Sequence, residues 1–329
     1  MSRRPGRDAP SRIFHRRVVA LGGGHGLAAS LQALRRVTDD LTAVVTVGDD
    51  GGSSGRLRRE LGVLPPGDLR MALAALCGDD DWGHTWSEVL QHRFASRGEL
   101  HGHALGNLLI VALWERFGGN PVAALDLVGE LLGAQGRVLP MATVPLEICA
   151  TVGGLDPADP LATAEVRGQV AVATTPGRVL GIRVEPEEAP ACAEAVAAVL
   201  AADAVVLGPG SWFTSVIPHL LVPGLAEAIL TTPAQRVLAL NLAPQAGETS
   251  GFSPETHLEV LAAHAPALRI DTVLADAGTV SDREGLERAA ASLDARLVLA
   301  PVAVPGGEPR HDVELLAAAY AGIFADGRM

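Results

Sequence analysis

The stretch VVALGGGHGLAAS, Val18 to Ser30, decides how the chain is read. Four apolar residues form a buried strand. The run LAASLQALRRV after the glycines sets Leu27, Leu31 and Leu34 on one face of a helix. Between them, Gly22, Gly23, Gly24, His25 and Gly26 make a strand-to-helix turn. Amides converge there and share the positive end of the helix dipole, which suits a phosphate. A side chain would block close approach. The pattern is not G-x-G-x-x-G, and a tight packing turn would also use glycine. Its place after the first strand of an α/β sheet favours a ligand.

LTAVVTV, residues 41–47, is the next strand, so the segment is a β-α-β unit with parallel strands buried on both faces. The loop GDDGGSSGR follows. Asp49 and Asp50 end the strand at the carboxyl edge of the sheet, where they could hold Mg2+, grip hydroxyls or act as a base. Gly51, Gly52, Ser53 and Ser54 add amides and hydroxyls, and Arg56 adds a cation. A helix cap would need only one of these groups.

From Asp68 to about Gln135 the pattern is helical throughout, with no linker at either end. This predicts a helical insertion at about 68–136 rather than a second domain. Strand patterns return in RVLPMA, LEICATV, EVRGQVAVA and VLGIRVEP, whose turns suggest a small antiparallel meander. The α/β rhythm then resumes to the final helix from about Val313. The expected fold is a Rossmann-like α/β domain over residues 16–329, with a mainly parallel, doubly wound sheet. Residues 1–15 read as a disordered basic arm.

Two later turns repeat the first motif. In LGPGSWFTSVIPHLL a strand ends at Gly208, Gly210 adds flexibility, and Ser211 can open a helix. It is not the G-x-S-x-G elbow, so Ser211 is not assigned as a nucleophile. In NLAPQAGETSGF, Asn241 ends another strand. HGHALGN, residues 101–107, reads as a helix start with Asn107 turned toward the site and His103 positioning it; a metal through these histidines is the lesser reading. GGEPRHD places Arg310 before the last helix.

Bulk properties narrow the function. A net charge of −12 argues against nucleic acid held on a general basic surface. With 48% hydrophobic but only 3% aromatic residues, the core must be aliphatic. The three cysteines lack metal spacing and read as free thiols in a reducing cytoplasm. No stretch has the length and purity of a membrane span.

Taken in order, GGGHGL, VTVGDDGGSSGRLR, PPGDLRMAL, GHALGNLL, GPGSWFTSVIPHLLV and NLAPQAGET resemble the YvcK-like proteins of the CofD-like superfamily, from about Arg17 to the end. The resemblance implies a regulatory protein that binds UDP-sugars such as UDP-N-acetylglucosamine. It would support peptidoglycan synthesis and cell shape, notably during gluconeogenic growth, through cell-wall synthesis proteins. A cytoplasmic homodimer with no catalytic residue is expected. His25 stands where members usually carry threonine, and Arg310 matches a basic position linked to UDP-sugar binding. The alternative is a CofD-type phospholactyl transferase using Asp49 or Asp50 with Mg2+. A second alternative is an NAD-binding protein, disfavoured by the glycine pattern.

Overall fold

The computed structural model describes residues 14–159, 161–245 and 247–326. Seven parallel strands make the main sheet. They are β1 (Phe14–Gly22), β2 (Thr38–Val45), β3 (Arg137–Pro140), β7 (Ala204–Leu207), β8 (Gln235–Ala239), β9 (Thr272–Asp276) and β10 (Arg296–Ala300). Their order is β10-β9-β8-β7-β1-β2-β3, the doubly wound arrangement expected. Order reverses between β1 and β7, where such sheets open a crevice at their carboxyl ends. Val18, Val19, Ala20 and Leu21 of β1 and all of β7 are buried, as parallel strands covered on both faces must be.

The helical insertion starts earlier than predicted. Five helices fill the connection from β2 to β3: α2 (Gly52–Leu61), α3 (Gly67–Leu76), α4 (Asp81–Gln91), α5 (Leu105–Arg116) and α6 (Pro121–Leu132). In α2 the buried residues are Ser53, Ser54, Gly55 and Leu57. Small polar residues pack its inner face, so it carries no apolar period.

β4 (Glu147–Gly153), β5 (Thr163–Arg167) and β6 (Arg178–Glu185) form an antiparallel sheet in the order β5-β4-β6. This corrects the expected meander, since β4 is central. It also corrects the reading of EVRGQVAVA as one strand. Gly168, at φ +91°, breaks it, and α7 (Gln169–Ala173) carries the chain across. A Cβ on Gly168 would lie 2.2 Å from Asp50 Oδ2, so only glycine fits this turn.

α1 (Gly24–Leu34) follows β1, and α8 (Ala193–Ala201) precedes β7. Beyond β7 a π-helical turn, Trp212–Val216, and a 3-10 turn, Ile217–Leu220, lead into α9 (Pro223–Thr231). α10 (Pro254–His264), α11 (Arg283–Ala291) and α12 (Val313–Asp326) complete the chain. Of the predicted basic arm, Phe14 and His15 open β1, and residues 1–13 lie outside the described residues. Among the described residues no single helix is long and apolar enough to cross a membrane.

Candidate functional site

The ends of β1, β2, β7 and β8 and the loop after β10 surround one cleft of about 490 Å³. Of the candidate residues named from sequence, Gly23, Gly24, His25, Gly26, Asp49, Gly210, Ser211, Asn241 and Arg310 line it. Gly24 has φ +59° with open space where a Cβ would be, so its need for glycine is conformational. Gly26 needs glycine for contact: a Cβ would sit 2.3 Å from the Pro209 carbonyl oxygen. The first and second glycine turns therefore pack directly on each other. The N-cap residue of α1, Gly23, has no side chain to cap the helix, and first-turn amides lack intrahelical acceptors. The Asp68 carboxyl meets the Gly24 amide, and an anion would serve the amides that follow.

Asn241 holds the second turn. The Gly210 amide donates to Asn241 Oδ1 at 2.9 Å, and Asn241 Nδ2 donates to the Gly210 carbonyl at 2.8 Å. Gly208, at φ +70°, lies deeper. Its carbonyl accepts from Ser30 Oγ at 3.1 Å, and it stays outside the lining. Gly22 is likewise packed away, against Leu27.

The acidic loop divides. Asp49 reaches the cleft, and its Oδ1 accepts from the Gly51 amide at 2.9 Å. Asp50 turns aside, and its Oδ1 accepts from the Val170 amide at 3.0 Å, fixing α7. Gly51, Gly52, Ser53 and Ser54 start α2 and do not line the cleft. Ser53 Oγ accepts from Asn107 Nδ2 at 3.0 Å and from the Ala104 amide at 3.3 Å. Its proton is thus left for His103 Nδ1, at 3.0 Å. Burial lowers the His103 pKa, consistent with a neutral ring. Asn107 Oδ1 accepts from Arg70 Nε at 2.9 Å. Asn107 is therefore buried in a brace between α2, α3 and α5, not turned toward the site, and His103 positions Ser53 instead.

Sequence reading missed Asp68, brought in by α3. A Cβ on Gly67 would lie 2.3 Å from Ser54 Oγ and 2.7 Å from Asp49 Oδ2, so that glycine lets α3 approach the acidic loop. Burial, with the Asp49 charge adding to it, pushes the Asp68 carboxyl up to about 7; the Gly24 amide and the Arg70 guanidinium oppose this. Its Oδ2 has no hydrogen-bond partner. Burial also pulls Arg70 down to about 10, which still leaves it charged at neutral pH. Gln169, Gln245 and His311 also line the cleft. His311 has its pKa lowered by burial, opposed by Asp276 and the Leu240 backbone. The PPGD turn was the available signal for Asp68. Nothing local marks Gln169, which reaches the cleft only through the small sheet.

A chain from Mycobacterium tuberculosis strain H37Rv, described as "Putative gluconeogenesis factor", is 57% identical over 311 residues, covering 94% of this chain and 90% of that one. A "Gluconeogenesis factor" from Listeria innocua serovar 6a is 37% identical over 266 residues, 80% of this chain and 78% of that one. A crystal structure of a UPF0052 family member from Bacillus halodurans superposes with a TM-score of 0.82 at 30% identity, covering 93% of this chain and 99% of that one. The family model described as 2-phospho-L-lactate transferase CofD matches residues 18–299, and the chain belongs to the CofD family.

Proposed function

We propose that the cleft binds the diphosphate of a nucleotide sugar, UDP-N-acetylglucosamine, and that the chain is a regulatory protein rather than an enzyme. One observation carries the reading: two glycine turns meet where strand order reverses, and α1 starts there from a glycine N-cap that has no side chain to serve its amides. A doubly wound sheet binds nucleotides at that point. Arg310 adds a cation at the rim. In this reading the protein works in the cytoplasm, and ligand occupancy is passed to proteins of peptidoglycan synthesis. This fits relatives described as gluconeogenesis factors.

A second reading, a CofD-type transferase with Mg2+, is favoured by Asp68. A buried carboxylate with an unpartnered oxygen beside Asp49 fits a divalent cation. Asp49 and Asp68 would hold it, in place of the Asp49 and Asp50 pair expected from sequence. When bound, the cation would neutralise charge between the carboxylates and the diphosphate.

Thermal-shift titration separates the readings, using UDP-N-acetylglucosamine, GDP and NAD with and without Mg2+. Ligand at about 100 times its Kd contributes roughly 2.7 kcal/mol, a shift of about 4 °C for a chain of this size. A shift with UDP-N-acetylglucosamine but not with GDP or NAD supports the proposal. A shift confined to GDP or NAD refutes it.

A further inference from the structure

The cleft lining includes two kinds of polar group. The Arg310 guanidinium and the first-turn amides of α1 are donors. Gln169 and Gln245 add amide side chains. The Oε1 atoms of both glutamines are buried and have no hydrogen-bond partner. Asn241, lining the same cleft, uses both ends of its amide on Gly210. A buried acceptor without a donor costs free energy and is rare. Two at one cleft, from separate elements, would gain donors from a ligand that drew them round into the open space.

The elements bearing them are fixed. Gln169 opens α7, held by the bond from the Val170 amide to Asp50. Gln245 opens a turn closed twice by Thr249: the Gln245 amide donates to Thr249 Oγ1 at 2.8 Å, and the Thr249 amide donates to the Gln245 carbonyl at 3.0 Å. The two elements touch. A Cβ on Gly247 would lie 2.1 Å from the Ala173 carbonyl oxygen. The small antiparallel sheet thus delivers one glutamine to the cleft, beside the loop that delivers the other.

A diphosphate carries acceptors only and cannot satisfy either oxygen. Sugar hydroxyls and an acetamido N–H can. We infer that Gln169 and Gln245 form the subsite for a hydroxyl- and amide-bearing glycosyl group attached to the diphosphate, and that they select a nucleotide sugar over a bare nucleotide. The inference rests on the nucleotide-sugar reading above. Neither residue acts on a reacting bond; both are specificity-determining.

Calorimetric titration with UDP and with UDP-N-acetylglucosamine tests it, on the full chain and on Gln169→Met and Gln245→Met. Methionine keeps length and shape but removes the amide. Each variant should bind UDP-N-acetylglucosamine about tenfold more weakly, the value of one hydrogen bond to a desolvated group. UDP affinity should stay within about twofold of the parent, and the melting temperature should be equal or higher, since an unpartnered oxygen is gone. A merely structural role would instead lower the melting temperature and weaken both ligands alike. Equal loss on UDP and the sugar would place the glutamines on the nucleotide side and overturn the inference, as would unchanged affinity for the sugar. If the parent binds both ligands equally, the nucleotide site stands and the glycosyl subsite falls. If it binds neither, the nucleotide-sugar reading itself fails. Should Gln245→Met not fold, Gln245→Asn, which draws the amide back by one methylene, gives the same readout.

Discussion

Asp68→Asn probes the floor of the cleft most directly. The carboxyl is buried and titrates near 7, against 3.8 unperturbed. Between those values the folded chain keeps a proton that the unfolded chain has released. Stability from this group is therefore complete below about pH 4, falls as pH rises toward 7, and is level above. At about 1.4 kcal/mol per unit the loss is of order 4 kcal/mol, or roughly 6 °C at this chain length. Asparagine keeps an oxygen for the Gly24 amide and presents an N–H toward Asp49, but does not titrate. The variant should melt with the parent near pH 4 and well above it at pH 8. Melting curves from pH 4 to 8 give the difference between the two chains, in which other titrating groups cancel. In the second reading, where Asp49 and Asp68 hold Mg2+, the cation at pH 8 should stabilise the parent and not the variant. Parallel curves for parent and variant across the range would refute a buried, proton-holding Asp68.

Three further substitutions test the walls. Gly26→Ala forces a methyl against the Pro209 carbonyl, so it should cost about 2 kcal/mol and weaken UDP-N-acetylglucosamine more than tenfold. An alanine chain with parental melting and affinity would mean the two turns are not rigidly joined. Arg310 has a side chain 72% exposed, so Arg310→Ala should change stability by under about 0.5 kcal/mol while lowering affinity about 10- to 100-fold, as calorimetry would show. Lysine should restore only part of that loss. Asn241→Ala strips both partners from Gly210 and should cost about 2 kcal/mol by denaturant titration, with affinity falling in step; affinity that holds while stability drops would remove the second turn from the site.

The parallel, doubly wound sheet and both glycine turns were legible because β1, β2, β7, β8 and β9 are short apolar runs ended by turn residues. α2 was not, because its inner face is serine and glycine. α11 carries a plain signal in Asp282, whose side chain accepts from the Gly285 amide at 2.8 Å, yet only Leu286 and Ala290 are buried on it. The acidic loop shows a sharper limit. Asp49 and Asp50 are equivalent in sequence, and side-chain direction alone sends one to the cleft and the other to α7. Ser53 and Asn107 have the polarity of ligand residues but meet each other, a pairing between segments 54 residues apart that no local pattern reveals. Asp68 and Gln169 enter from helices whose placement depends on close glycine contacts at Gly67 and Gly168.

Ser30 has a consequence for how the protein is made. Its hydroxyl donates to the Gly208 carbonyl and so accepts from Tyr320, at 2.7 Å, joining α1 to segments 178 and 290 residues further along. The first glycine turn leaves the ribosome early, but its partner turn follows much later and the last helix later still. Closing such long loops is entropically unfavourable until the distant contacts form. The half-made chain therefore has no cradle to fill, and ligand cannot template its folding. Ligand stabilises only the finished molecule, and the amides of the first turn of α1 should exchange with solvent deuterium through global opening once it is bound.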